Sequence, residues 1–242
     1  RMIDKASVLT VTLANGDLYD VTEAAMRAGA NHFAYGAHDR WEIIAAQKCT
    51  LQSGKTYILR DLLRGRFGSE WAMGTHQVGD AIVLLDTDDL AMISMSASTI
   101  GLSRLYRGIT YGRDLSTDSN RSFTYQAVNL KPLSPILLNG HRDASGNWFL
   151  DWVRRARGLV EWRDYVDTPL NEATEQYQIE IFSSGSYTTV KRTLTVSAAA
   201  ASYTTAEQSA DFGSNQTTLY LRIYQLSATV GRGYALQQSI TR

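Results

Sequence analysis

Cys49 is the single cysteine of this 242-residue chain. One thiol excludes an intramolecular disulfide framework, and burial in a strand is its expected fate. An excess of charge of either sign is also missing, since 24 Lys+Arg balance 24 Asp+Glu. A chain without net charge lacks the electrostatic footprint that draws proteins onto nucleic acid or anionic membranes, so no nucleic acid is expected among its partners. Long apolar runs are absent. A run such as Ala81 to Leu85 falls far short of the roughly 20 residues a spanning helix needs, and no membrane-spanning segment is expected. No signal peptide is visible, and a chain that opens on Arg1 rather than methionine is expected either to be cut from something longer or to carry a processing scar. Helix signals are nearly absent too. The one good candidate runs from Thr22, whose hydroxyl can cap orphan N–H groups, through Ala28 to Gly29, which suits the residue after the last turn.

Catalytic and cofactor motifs are equally scarce, and neither a cofactor nor enzymatic activity is expected. Ser53-Gly54-Lys55-Thr56 ends like a phosphate-binding loop, but the pattern needs a glycine where Cys49 stands and a helix where a β-branched, strand-forming stretch follows, so a hairpin turn is expected. His32, His38, His76 and His141 never fall at a metal-ligand spacing, and no metal site is expected. Asp86-Thr87-Asp88-Asp89 is too short for a calcium loop and lacks its later glycine and glutamate, which leaves a solvated turn. A serine nucleophile on a Gly-x-Ser-x-Gly elbow does not occur, and His38-Asp39 and His141-Arg142-Asp143 read as exposed polar caps.

What the chain does have is strand periodicity. Val8 to Leu13 alternates in the way of a half-buried strand, Ala14-Asn15-Gly16-Asp17 offers a turn, and Leu18 to Val21 is expected to complete a hairpin. Trp41 to Leu51 and Lys55 to Leu63 form a second hairpin pair, with Trp41, Ile43, Ala45 and Cys49 on one face. Ala81 to Leu85, apolar on both faces, is expected to be a central strand. Ser98 to Tyr111 and Ser122 to Leu130 give further strands around a polar loop. Beyond Pro135 the spacing becomes regular, with strands expected at Pro135–Leu138, Asn147–Arg154, Gln176–Phe182, Thr188–Val196, Ser202–Thr205, Thr217–Leu226 and Gly233–Thr241. Short alternating strands separated by turns indicate a β-sandwich. The fold class is therefore mainly β, with a β-rich domain carrying one short helix over residues 1–130 and a seven-stranded sandwich over 131–242.

The block Leu62-Leu63-Arg64-Gly65-Arg66-Phe67-Gly68-Ser69-Glu70 has no chemistry of its own yet is strongly patterned. It resembles the LLRGR-G-E block near the C-terminal end of tail-tip proteins of tailed bacteriophages and gene transfer agents. Lys131-Pro132-Leu133-Ser134-Pro135 is similar to the boundary that precedes a fibronectin type III-like module in the same family. Gly29-Ala30-Asn31, Trp41-Glu42, Tyr224-Gln225-Leu226-Ser227 and Gly231-Arg232-Gly233 extend the likeness in order along the chain. Within the sandwich, Trp152 resembles the inward tryptophan of the second fibronectin type III strand, while Leu219 stands where a tyrosine is expected to open the sixth. The resemblance implies a structural piece of a baseplate hub at the distal tail of a virion. It implies other tail and baseplate proteins as partners, a homotrimeric parent, and contact with host cell-surface polysaccharide or another receptor. Some family members carry a glycosidase-like barrel, but upstream of the matched region.

The candidate binding residues are Arg154, Arg155, Arg157, Trp162, Arg163 and Tyr165, in the long connection from Val153 to Glu175. Guanidinium and aromatic groups suit interfaces because they combine contact area with several donors. Against this, Glu161, Asp164, Asp167, Glu172 and Glu175 are placed to neutralise the arginines. Arg64, Arg66 and Glu70 also have two uses, presenting charge to a neighbouring subunit or satisfying one another around Gly65 and Gly68, with Trp71 anchoring the loop. Three functions remain open from the sequence: a structural tail module, a carbohydrate- or receptor-binding module, and an accessory domain of a cell-wall hydrolase.

Overall fold

The computed structural model describes residues 2–85, 90, 93–157 and 164–242. The chain divides into two compact units, Arg1–Met92 and Ile93–Arg242, so the 93–130 stretch is counted with the second unit. That division lies upstream of the 130/131 boundary drawn from sequence.

The first unit holds strands β1 (Leu9–Thr12), β2 (His32–Gly36), β3 (Glu42–Ser53), β4 (Thr56–Arg66) and β5 (Ala81–Leu84), with helix α1 (Glu23–Ala28). They form one antiparallel sheet in the order β1-β4-β3-β2-β5. The long β3–β4 hairpin turns through Gly54 and Lys55, with Ser53 opposite Thr56 and Gly54 at φ +56°, so the Ser-Gly-Lys-Thr stretch is a hairpin turn. Val11, Phe33, Ile44, Tyr57, Leu59 and Leu62 fill the main core, and Cys49 lies buried among them. Helix α1 starts where expected, with Thr22 Oγ1 accepting from the Ala25 N–H at 3.1 Å, and ends at Gly29. Its Met26 packs with Ala45 and Leu63 in a smaller cluster.

Three sequence expectations fail in this unit. Leu18 to Val21 is not a strand: Leu18 enters the core, Asp20 Oδ1 accepts from the Cys49 N–H, and the Val21 N–H donates to the Gln47 carbonyl. The face shared by Ile43, Ala45 and Cys49 is also interrupted, because Cys49 joins the core of Ile44 and Ala46 while Ala45 turns toward α1. Asp61, opposite Gln47 with φ +52°, explains the switch, since a left-handed residue in a strand resets which side chains point inward. Finally, β5 is an edge strand with exposed Val83 and Leu84, not a central one.

The second unit opens with a short hairpin, β6 (Ser103–Tyr106) paired with β7 (Arg121–Thr124). The remainder is a sandwich of β8 (Ile136–Arg142), β9 (Trp148–Val153), β10 (Tyr177–Phe182), β11 (Val190–Val196), β12 (Ala200–Tyr203), β13 (Thr218–Ser227), β14 (Gly231–Arg232) and β15 (Leu236–Thr241). One sheet runs β12-β9-β8, and the other runs β11-β10-β13, with β14 and β15 both pairing β13. Apart from the two-residue β14, this gives the seven strands of a fibronectin type III-like sandwich, three facing four. Trp148, Leu150 and Trp152 of one sheet meet Tyr177, Ile179, Ile181, Leu219, Leu221 and Ile223 of the other. That alternation is the expected one.

Helix α2 (Thr205–Phe212), between β12 and β13, is a correction to the reading that only one helix exists. Thr204 and Glu207 form a reciprocal capping box, with the Thr204 N–H donating to Glu207 Oε2 at 2.8 Å. Gly213 at φ +77° ends the helix. Leu219 at the expected tyrosine position is buried, and other bonds tie the same corner. Trp148 Nε1 donates to the Gln216 carbonyl at 3.0 Å, and the Tyr203 hydroxyl donates to Asp211 Oδ2 at 2.6 Å.

Candidate functional site

The patterned block at Leu62 to Glu70 is built around a carboxylate from another strand. Glu42, at the start of β3, is fully buried. Its oxygens accept from Arg64 Nε at 2.8 Å, Arg64 Nη2 at 2.6 Å and the Gly65 N–H at 2.7 Å, and stand 2.7 Å from His76 Nε2. Burial pushes the Glu42 carboxyl up, but the bonds from Arg64, His76 and Gly65 outweigh it and hold the group below the ordinary carboxylate range. Hydrogen bonds to the charged form likewise raise the Arg64 guanidinium.

Gly65 has to be glycine. At φ +55°, a Cβ there would stand 2.7 Å from Glu70 Cγ and 2.9 Å from Glu70 Cα. Ser69 closes the loop by accepting from the Ile43 N–H at 2.8 Å and donating to the Arg66 carbonyl at 2.7 Å. Arg66 lies over the Phe67 ring at 5.3 Å, and Trp71, the expected anchor, remains partly exposed. Of the charges in the block, Arg64 thus finds its strongest partner outside it, in Glu42.

The network continues through His76, whose ring stacks on Tyr35 with centroids 4.0 Å apart and whose Nδ1 lies 3.7 Å from Asp80 Oδ2. Asp80 also receives Arg40, with Nη2 to Oδ1 at 2.9 Å, and Arg40 reaches the Thr75 carbonyl. The Gln77 N–H and Arg40 hold the Asp80 carboxyl below its usual range. A buried carboxylate beside histidine is half of a hydrolytic triad; here Nε2 of His76 is held by Glu42, and its buried Nδ1, 3.7 Å from Asp80 Oδ2, has no hydrogen-bond partner among the described residues. What this geometry supplies is a fixed charge cluster locking the 67–80 connection onto the sheet. Neither Glu42–His76 nor Arg40–Asp80 was legible as a pair, because both span more than thirty residues and follow no local spacing.

Burial raises the Cys49 thiol to about 11, and its sulfur lies 3.5 Å from Asn31 Nδ2. Such a thiol is a poor nucleophile.

In the sandwich loop, Arg154 Nη2 donates to Asp167 Oδ2 at 2.8 Å and to the Thr168 carbonyl. Arg157 Nη1 lies 2.7 Å from Glu172 Oε1, and its Nη2 donates to the Asn171 carbonyl at 2.6 Å. Both arginines therefore brace the loop internally. Arg155 is half-buried, and Tyr165 is fully exposed with φ +59°. Trp162 and Arg163, like Glu161 and the acidic turn Asp86 to Asp89, lie outside the described residues. Among the described residues no group of three or more His, Cys, Asp or Glu side chains is placed to hold a metal.

A different apolar surface stands out in the 93–130 stretch. Leu102, Leu105, Leu115, Phe123 and Val128 are exposed, and Ala127 is the one fully buried hydrophobic residue of that stretch among the described residues. An isolated two-stranded hairpin is marginal in water, so a surface of this kind suits contact with another molecule.

Residues 1–83 match the family model described as "Rcc01698-like, C-terminal", which covers the first sheet and its charge cluster and stops before the sandwich. No curated protein matches. Among solved structures, domains d3–d4 of the rat CD45 extracellular region align with a TM-score of 0.34 and 11% identity, covering 81% of this chain and 94% of that one. A likeness at that level carries no weight for fold or function.

Proposed function

We propose that this chain is the C-terminal part of a tail-tip, or baseplate-hub, protein of a bacteriophage or gene transfer agent. In this reading it is a non-catalytic structural piece that joins tail assembly to attachment at the host envelope. The observation that carries the reading is the family match over residues 1–83, whose name belongs to a locus related to gene transfer agents. The ordered motifs that continue past the match, through the Lys131 to Pro135 boundary into the sandwich, support it.

The internal chemistry is consistent with a rigid connector. Glu42 bonds Arg64 and His76, and Asp80 bonds Arg40, which fixes the geometry of the 67–80 connection. The exposed apolar residues of the 93–130 stretch suit burial against neighbouring tail proteins in a threefold hub. Electron microscopy of intact particles labelled against this chain tests the placement. Label at the distal tail is expected, and label anywhere else refutes it.

A further inference from the structure

We infer that the first unit has an open strand-sized slot between β1 and β5, which takes one extended segment of another polypeptide running antiparallel to both. Every pairing in the sheet is antiparallel, so β1, β3 and β5 run one way and β2 and β4 the other. The two edge strands are therefore parallel to each other. They also face the same space: Val11 of β1 is buried in the core against which Ile82 of β5 packs, and a trough of about 1030 Å³ is lined by both strands.

Direct closure of β1 onto β5 would place a parallel pair in an otherwise antiparallel sheet. One added strand closes the ring as six antiparallel strands, each with two neighbours. Backbone direction thus defines the occupant.

The backbone groups of the two edges that pair with no strand among the described residues can be named. Leu13 donates to the Lys55 carbonyl and Leu85 to the His32 carbonyl, both toward the interior of the sheet. Alternation along an antiparallel ladder then turns the N–H and C=O groups of Thr10, Thr12, Ile82 and Leu84 toward the trough. The 3.0 Å approach of the Thr12 and Thr56 hydroxyls marks that pair as the close, non-hydrogen-bonded kind. An incoming segment would receive backbone bonds from both sides, with its inward side chains joining Val11 and Ile82 and its outward ones lying beside Thr10, Thr12 and Val83. Pairing of this sort uses backbone bonds for affinity and alternate side chains for selectivity.

Asp80, just before β5, and Asp17, just after β1, line opposite ends of the trough, but Arg40 and Lys55 already neutralise them, so neither end selects a charge. A segment alternating apolar and small polar residues fits the lining. The slot stands on the geometry of the first unit and is independent of the tail-tip reading.

The test uses the full chain and a short synthetic peptide that alternates valine and threonine between terminal lysines, read by amide hydrogen exchange. The expected result is simultaneous protection of the Thr10, Thr12, Ile82 and Leu84 amides. Replacement of the peptide's central residue by proline should abolish it. In the protein, Thr12→Pro removes a slot-facing N–H without touching the bonds of Val11 or Leu13 to β4. It should weaken binding about fivefold, the scale of one net hydrogen bond, while Thr12→Val stays within about twofold. If Thr12→Pro fails to fold, Thr10→Pro asks the same question at the neighbouring slot-facing amide. No binding at about 1 mM peptide, protection of one edge strand alone, or equal binding of the proline peptide would overturn the proposal. So would edge protection that grows with protein concentration without peptide, because the occupant would then be a second copy of this chain.

Discussion

A carboxylate with no exposed surface keeps its charge only where its partners offset the lost hydration. Glu42 does so with Arg64, His76 and the Gly65 amide, and removal of one member would strand the others. Glu42→Gln should lower stability to urea by about 3–5 kcal/mol, the range for breaking a buried ion pair from one side. The pH dependence has a definite sign. The folded carboxyl sits below its ordinary value of 4.5, so its contribution is complete above that value and is lost as pH falls through the lower folded one. Denaturation midpoints recorded on the acid side should fall for the parent protein and lose this part of the fall in Glu42→Gln. The residues of this cluster were visible in the sequence as the Trp41-Glu42 and Leu62 to Glu70 landmarks. Their pairing was not: Arg64 was expected either to meet a neighbouring subunit or to settle with Glu70 and the loop backbone, and it bonds Glu42 on the adjacent strand instead.

Among the elements, those whose boundaries depend on local chemistry were readable. Thr22 and Gly29 delimit α1, Gly54 turns the long hairpin, and the sandwich strands follow the alternation of Trp148, Leu150 and Trp152 and of Tyr177, Ile179 and Ile181. Helix α2 had a signal of the same kind, a threonine followed three residues later by glutamate, which went unread amid strand-like neighbours. Its cap should matter: Thr204→Ala is expected to cost about 1 kcal/mol in thermal or chemical unfolding. Faster amide exchange confined to α2 and its flanks would identify the cap as the cause. The Arg192 guanidinium bonds Asp211 at 2.6 Å and lies 3.4 Å from Glu207, so it ties both turns of the helix to β11.

For the molecule as a whole, the fold divides along the two units. The first carries the family match and the charge cluster, and the second carries the sandwich and an exposed apolar hairpin segment. Apolar residues already exposed contribute little to the stability of the isolated chain but can contribute to assembly. The double substitution Leu105→Ser with Phe123→Ser should leave the melting temperature nearly unchanged while lowering incorporation into particles. On the tail-tip reading, particle fractionation followed by quantitation of the protein checks this, and full incorporation of the folded variant would refute a role for the hairpin in assembly.

Composition, turn residues and alternation determined on their own that the chain is mainly β, that a sandwich follows Pro135, and that Cys49 is buried. Each of these rests on contacts between residues close in sequence or on a bulk property of the chain. Only the tertiary structure decided that Ala81 to Leu84 lies at an edge, that Asp61 reverses the inward face of the hairpin, and that Glu42 receives Arg64 and His76. An apolar strand has the same local pattern at the centre of a sheet as beside an unfilled slot, and a buried charge finds its partner through space. Neither outcome leaves a period or a spacing in the sequence.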